Sequence, residues 1–356
     1  MQKILIFTHE FPPRLGGAGG VALQLADYFY KYHYDVTVVT QKRNNIIDYK
    51  FKIIEVPVFT KLWFLSYFTF FKFYNLKQYD KIIINDGGAI YSAGISFNEE
   101  ALSKSIVYVH GVEKYLNEAS LFLKILQFKK YYLRVLNKSQ KIISVSGFIK
   151  ELFFKDELEE FLPKVKVIYN GVDKTQFYYK DNSLLDRYVS PNDIVLISVS
   201  RFTQSKGYLK KLEIFEKLYI KNKNHKWFII GDGDFKDTFT QIVKTKNLEK
   251  NIILLGKKSR EEIKYYLSKS NFFWLLSELE ESFGLVYLEA MACKSIPIGW
   301  NKAGVKEVIK NGINGCLANT DDEVISFVLD GYKTIDRENL PNQVIKVEDN
   351  YCKVLN

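Results

Sequence analysis

Glu281 and Glu289 flank seven residues in the stretch "EESFGLVYLEAMACKSIPIG" (280–299), and their settings differ. Glu281 precedes Ser282 and Gly284 at what reads as the start of a helix near Ser282–Phe283. Glu289 lies inside that helix, among Leu288, Ala290, Met291 and Ala292. An ionised carboxylate in such a run needs a partner, because burying it alone is expensive. On this reading the amides of Phe283, Gly284 and Leu285 are unpaired first-turn donors, and together they form an anion site. Gly284 would let a phosphate approach the backbone closely. Carboxylates repel phosphate but accept hydrogen bonds from hydroxyls. A ligand carrying phosphates and several hydroxyls, such as a nucleotide sugar, would satisfy both glutamates and amides. Without such a ligand, Glu281 would be a partner of the helix dipole and Glu289 would pair with a lysine.

Other candidates stand where strands give way to helices. In "SVSRFTQSKG" (198–207), Arg201 and Lys206 follow a buried strand and precede Gly207 at a helix start. Two cations on such a loop suit a diphosphate, although a solvated pair is the plainer alternative. His110 ends the strand "SIVYVHG" (105–111), where it could bind a hydroxyl or be a satisfied, partly buried ring. "FIIGDGDF" (228–235) contains Asp232-Gly233-Asp234, which fits either paired metal-binding carboxylates or an ordinary Gly/Asp turn. "LGGAGGVA" (15–22) approaches a dinucleotide-binding pattern. Pro12 and Pro13 separate it from the first strand, and the second strand ends in Gln41 where an acidic ribose ligand is needed, which argues against a dehydrogenase.

These loops need a scaffold, and the chain supplies one. Apolar strands at 3–9, 35–41, 51–58, 81–86, 105–111 and 141–146 alternate with amphipathic helices. The pattern pauses near 163–180 and restarts at 193–202, 226–235, 251–257, 271–277 and 295–300. Continuous Val/Ile runs separated by helices indicate α/β architecture with parallel sheets covered on both faces. Two domains are expected, 1–172 and 173–356, with a tail that could return to the first.

The formal charge of +10 over 356 residues favours acidic partners: nucleotide phosphates, nucleic acid or anionic lipid. Three widely spaced cysteines (293, 316 and 352) make no disulfide framework and suit a reducing cytoplasm. "MQKILIFTHEFPP" reads as a buried strand and not as a signal peptide. The longest uncharged apolar run, "LWFLSYFTFF" (62–71), is well short of the roughly 18 residues that span a bilayer.

Taken together and in order, "HEFPPRLGGAGGV", "VHG", "SVSGFIKELF", "VIYNGVD", "SVSRFTQSKG", "IIGDGD", "LLG" and "EESFGLVYLEAMA...AGVKEVIKNGINGCL" resemble the retaining glycosyltransferases of family 4. The matching stretches span about residues 3–317. The resemblance implies the GT-B fold, two facing Rossmann-like domains with a central cleft. It implies that the first domain binds the acceptor and the second the nucleotide sugar. Glu289 would then accept from donor ribose hydroxyls, and Glu281 would contact the donor sugar near the reacting centre. The Phe283, Gly284 and Leu285 amides would hold sugar hydroxyls and phosphate, and Arg201 and Lys206 would neutralise the departing diphosphate. His110 would bind the transferred sugar, with Gly16 and Gly17 near the phosphates. No metal and no cofactor beyond the donor are implied.

The chain departs from the family pattern at Lys294 and Ala303, where glycine is usual, and at Ser200 before the arginine. The alternative to an active transferase is a catalytically silent relative that binds nucleotide sugar or glycan as a scaffold. An acceptor that is a glycan or lipid-linked glycan, as in bacterial lipopolysaccharide or capsule assembly, fits both charge and family; nucleic acid does not. Two basic, aromatic stretches, 59–77 and 114–138, suit the anionic inner face of the cell membrane, or else pack the core with solvated lysines.

Overall fold

The computed structural model describes residues 1–13, 17–43, 48–59, 62–111 and 121–356, without the side chains of 121 and 122. The chain divides into two units, Met1–Asn170 with Val347–Asn356, and Gly171–Lys346. The second unit therefore starts two residues before the expected break, and the last ten residues belong to the first.

The first unit is a parallel sheet of β1 (Lys3–Phe7), β2 (Asp35–Gln41), β3 (Lys52–Val56), β4 (Lys81–Ile84), β5 (Ser105–Val109), β6 (Lys141–Ser144) and β7 (Val165–Val167), in the order β3-β2-β1-β4-β5-β6-β7. Ile4, Leu5, Ile6 and Phe7 are wholly buried, as are Ile82, Ile83 and Ile84 beside them. These uninterrupted apolar runs are what a strand covered on both faces requires. The last ten residues close the unit. Tyr351 is buried and donates its hydroxyl to Gln24 Oε1 at 3.2 Å, and Lys31 pairs with Glu348 at 3.1 Å.

The second unit repeats the plan with β8 (Ile194–Val199), β9 (His225–Ile230), β10 (Ile252–Gly256), β11 (Phe272–Leu275), β12 (Ile296–Trp300) and β13 (Cys316–Ala318), in the order β10-β9-β8-β11-β12-β13. In each sheet the strand order reverses once, between β1 and β4 and between β8 and β11. Ligands of open parallel sheets bind beyond the carboxyl ends of the strands at such a switch point. "HEFPP", "NDGG", "SRFTQSKG" and "ELEESFG" are the four segments that leave these strands.

The basic stretch 114–138 is only partly helical and less cationic than its sequence suggests. Residues 112–120, including Lys114, lie outside the described residues. Beyond them run two helices, Leu121–Ile125 and Phe128–Lys138, parted at Gln127, whose φ is 50°. Lys129 pairs with Glu157, and Arg134 and Lys138 both pair with Glu99. Arg134 also donates to the Gly94 carbonyl at 2.6 Å and to that of Phe97 at 3.1 Å, holding the end of helix Gly87–Ser96. Two acids from elsewhere in the unit thus offset part of the charge of this helix, while Lys130 donates to Gln127 Oε1 at 2.9 Å. By contrast, helix Trp63–Phe73 leaves Leu65, Phe68 and Phe73 exposed, with Phe59 and Leu62 exposed just before it. Among the described residues, no helix is long and apolar enough to cross a membrane.

Candidate functional site

The loops leaving β8 and β11 dock on each other. The Ser205 carbonyl accepts from the Glu278 N–H at 2.9 Å and from Ser277 Oγ at 3.3 Å. Gly207 follows with φ 68°, and a side chain there would place its first carbon 1.9 Å from the Leu276 carbonyl oxygen. Only glycine meets both demands. This docking carries Lys206 Nζ to 2.6 Å from Glu281 Oε1, with both side chains largely buried. Arg201, on the same loop, is exposed and has no ion-pair partner among the described residues. Ser200, where the family has glycine, shares a 2.8 Å hydrogen bond with the Tyr208 hydroxyl.

The helix beyond Glu281 begins later than its sequence suggested. It runs Leu285–Ala292, and Gly284 caps it in the left-handed region at φ 94°. A side chain at 284 would sit 2.5 Å from the Tyr287 ring. Tyr287 is buried, and its hydroxyl donates to the Leu275 carbonyl at 2.7 Å. The turn is thus wound around a tyrosine anchored on β11. Its first helical amides are those of Leu285 and Val286, while Phe283 is buried ahead of the helix. The Gly304 N–H donates to the Glu281 carbonyl at 3.0 Å, and the next loop closes behind the site.

Glu289 is buried, and its partner is an arginine. Oε1 accepts from Arg260 Nη2 at 2.5 Å, and the guanidinium lies 5.0 Å from the centre of the Phe177 ring. The other carboxylate oxygen accepts no hydrogen bond from the described residues. Arg260 opens helix Arg260–Lys269, which a Ser259/Glu262 capping box starts. The box is visible as "SREE", but nothing in it says that the arginine turns toward Glu289.

Lys294 and Ala303, two of the three departures from glycine, both lie in the left-handed region, at φ 63° and 52°. This conformation costs an L-residue roughly 1–2 kcal/mol, which is why glycine suits these positions. Contacts with Glu338 and, at 4.5 Å, with the Tyr179 ring hold Lys294 there. "GDGD" packs as a turn. The Phe202 N–H donates to the Asp232 carbonyl at 2.9 Å, and a side chain at Gly233 would lie 2.4 Å from the Phe202 carbonyl. The Asp232 carboxylate is exposed and pairs with Lys236 at 3.4 Å.

In the first unit, Asp86 organises the ends of β1 and β4. Its Oδ2 accepts from Thr8 Oγ1 at 2.7 Å and from the N–H groups of His9 and Glu10 at 2.6 and 3.0 Å. Its Oδ1 caps helix Gly87–Ser96 through the Ala89 N–H at 2.8 Å. Asn85 bridges to His110, with Oδ1 3.1 Å from Nε2, and donates to the Ala18 carbonyl at 2.9 Å. Desolvation pushes His110 down to about 4 against the opposing pull of Asp86, so the ring is neutral at pH 7. Asp86 and Asn85 escaped the sequence reading, although "NDGG" after an apolar strand is a capped helix start. A side chain at Gly17 would meet nothing within 4 Å. Gly16 lies outside the described residues.

Residues 186–346 match the model of "Glycosyl transferases group 1", and residues 15–176 that of "Glycosyltransferase Family 4". N-acetyl-alpha-D-glucosaminyl L-malate synthase of Bacillus anthracis is 33% identical over 160 residues, 44% of this chain and 41% of its own length. The chain thus matches less than half of that relative. The phosphatidylinositol N-acetylglucosaminyltransferase GPI3 subunit of Saccharomyces cerevisiae is 24% identical over 325 residues, covering 87% of this chain and 70% of that one. Among solved structures, Anabaena Alr3699/HepE in complex with UDP and glucose shares the fold at a TM-score of 0.76, with 19% identity over 99% of this chain and 98% of its own. With a family model over each half and a common two-sheet architecture from end to end, the chain belongs to the glycosyltransferases of family 4 and has the GT-B fold.

Proposed function

We propose that the chain is a retaining, metal-independent glycosyltransferase. It moves a hexose-type sugar from a nucleotide diphosphate sugar to a glycan or lipid-linked glycan acceptor in bacterial surface polysaccharide assembly. The observation that carries this reading is the Lys206–Glu281 pair at 2.6 Å, beside Arg201 and the Gly284 turn, at the switch point of the second sheet. The pair joins the two things a nucleotide sugar needs, a cation for diphosphate and a carboxylate for a sugar. The names of the relatives, with their N-acetylglucosaminyl transfer and a phosphatidylinositol acceptor, and the UDP and glucose held by HepE, support the same class.

In this reaction the acceptor hydroxyl oxygen bonds to the anomeric carbon on the face the nucleotide leaves. The bond from that carbon to the phosphate oxygen breaks, and its electron pair stays on the diphosphate. The hydroxyl proton passes to a phosphate oxygen, giving the glycoside and a nucleoside diphosphate. Arg201, Lys206 and the amides at the start of helix Leu285–Ala292 stabilise the charge that develops on the leaving group, and Glu281 faces the cationic sugar. Glu289 accepts from the ribose, and Gly16 and Gly17 leave room near the phosphates. His110 takes the role the family resemblance gives it, a neutral hydrogen-bonding group for the transferred sugar. The cations stand in for a divalent metal. The enzyme works in the cytoplasm on the inner face of the membrane.

The test is to screen UDP-, GDP- and ADP-sugars for binding-induced thermal stabilisation. The stabilising donor is then incubated with membrane lipid extract after exhaustive EDTA treatment. Product NMR should show the donor's anomeric configuration. Activity that EDTA abolishes and manganese restores would return Asp232 and Asp234 to consideration. Donor binding without any transfer would favour the silent scaffold.

A further inference from the structure

Lys211 has no surface exposure, and its amine has no carboxylate within ion-pair reach among the described residues. It lies on the inner side of helix Tyr208–Lys221, the helix that the Arg201–Gly207 loop feeds. Nζ donates to Ser198 Oγ at 3.1 Å. That hydroxyl also accepts from Trp227 Nε1 at 3.1 Å and donates to the Trp274 carbonyl at 3.0 Å, so it has nothing further to offer. The amine sits 4.1 Å from the centre of the Tyr208 ring and 5.5 Å from that of Trp227. Aromatic faces ease the charging of an amine, but they do not replace a carboxylate. Its own helix, β8, β9 and β11 contribute Ser198, Tyr208, Trp227 and Trp274, and the Tyr208 phenol is hydrogen-bonded to Ser200. Helix Asp321–Leu329 also packs on the Lys211 helix, and its Asp321 is taken by the neighbouring Lys210 at 3.4 Å, with Asp322 and Glu323 beside it in the first turn. The charged groups that bear on it are Lys206, which repels an ammonium, and Glu281, which attracts one. In the structure these two are paired with each other.

Given the donor reading above, on which this step rests, we propose that Lys211 is a buried charge reserve of the site. It is an uncharged amine while Lys206 and Glu281 are paired, and an ammonium once a nucleoside diphosphate draws Lys206 away. The incoming phosphates and the released Glu281 carboxylate both favour the ammonium, and the proton comes from solvent. Burial and the nearby Lys206 hold the amine well below the ordinary lysine range, which favours the uncharged form while the pair stays closed. Release of the nucleotide returns the proton. Lys211 touches neither substrate nor reacting atoms and is a positioning residue that completes the charge balance from below the loop.

Calorimetry of UDP, GDP and ADP binding at pH 8, in two buffers of different ionisation enthalpy, counts the protons exchanged. The wild type should take up close to one proton with the nucleotide that binds, and its affinity should rise about tenfold per pH unit of acidification where uptake is complete. Lys211→Met should take up none and lose that pH dependence. Wild type without uptake, or a variant that keeps it, overturns the proposal. A second readout needs no nucleotide. An amine held neutral only in the folded state gives stability that rises with pH up to the ordinary lysine range, because the unfolded chain binds the extra proton. Equal pH slopes of urea stability for wild type and variant would mean that the amine is charged without nucleotide, and the proposal fails. Should Lys211→Met not fold, Lys211→Gln replaces it in both measurements. If none of the three nucleotides binds the wild type, the donor reading falls and takes the proposal with it. The stability slopes would still report the charge of the amine.

Discussion

Glu289 is a carboxylate with one oxygen taken and, among the described residues, one open. Arg260 holds Oε1 at 2.5 Å, so the charge is already matched before any ligand arrives. A ribose hydroxyl can then bind the other oxygen without breaking the pair, which the sequence alone presented as a choice between pairing and binding. Glu289→Ala should therefore weaken nucleoside diphosphate binding by tenfold or more in a protein that still folds, as read by calorimetry. Glu281→Gln should lower kcat more than it lowers nucleotide affinity, since its proposed partner is the developing sugar cation. Unchanged affinity in Glu289→Ala would remove the ribose role. His110 offers a test by pH. Its folded value near 4 lies below the ordinary imidazole value of about 6.5. Between these values the unfolded chain binds the extra proton, so the folded state loses stability as pH falls from 6.5 toward 4, and loses none above. The stability gap between wild type and His110→Asn in urea should shrink from pH 7.5 to pH 5. A constant gap would show that the ring is not desolvated.

At the scale of elements, function depends on how closely one loop can lie on another. Gly207 and Gly17 make a contrasting pair. Gly207→Ala adds a carbon 1.9 Å from a carbonyl oxygen at a left-handed backbone, and should cost roughly 2–4 kcal/mol. It should also separate Lys206 from Glu281. Gly17→Ala opens into free space at a helix start and should leave the urea midpoint within error while reducing donor affinity, if that space is for phosphates. The elements themselves were legible where the chemistry is local. Runs such as "IVLISV" and "FFWL" can only be doubly covered strands, and as β8 and β11 they put the cationic loop and the glutamate loop at one switch point. What escaped was set by partners distant in sequence or by very short segments. β7 and β13 are edge strands of three residues each, too brief for any periodicity. The start of helix Leu285–Ala292 moved because Tyr287 anchors the turn to β11, a contact no local pattern encodes. Arg260 reaches Glu289 across 29 positions.

At the scale of the whole molecule, the proposed lipid-linked acceptor raises the question of which surface would meet a membrane. The +10 charge is distributed over the chain, and in the stretch that looked most basic Glu157 and Glu99 pair with Lys129, Arg134 and Lys138, which offsets part of its charge. Arg134 in particular is a structural residue holding helix Gly87–Ser96, so replacing it would damage the first unit before it tested any membrane role. The exposed apolar residues around helix Trp63–Phe73 are the stronger candidates. Phe59, Leu62, Leu65, Phe68 and Phe73 are exposed together with Lys72 near the helix end, a composition that suits the headgroup boundary of a membrane. Burying apolar surface contributes about 25 cal/mol per Å², independent of salt, whereas each lysine near an anionic surface adds on the order of 1 kcal/mol that salt screens. Binding to anionic vesicles should therefore fall with added salt but not vanish. Replacing Phe59, Leu65, Phe68 and Phe73 with serine should abolish flotation with such vesicles at every salt concentration. Replacing Lys124 and Lys130 with glutamine should weaken binding at low salt and flatten its salt dependence. Transfer to a short water-soluble acceptor should survive in the serine variant, because none of the four aromatic or aliphatic side chains belongs to the donor site. Flotation equal to wild type in that variant would return the patch to the role of a solvated helix face.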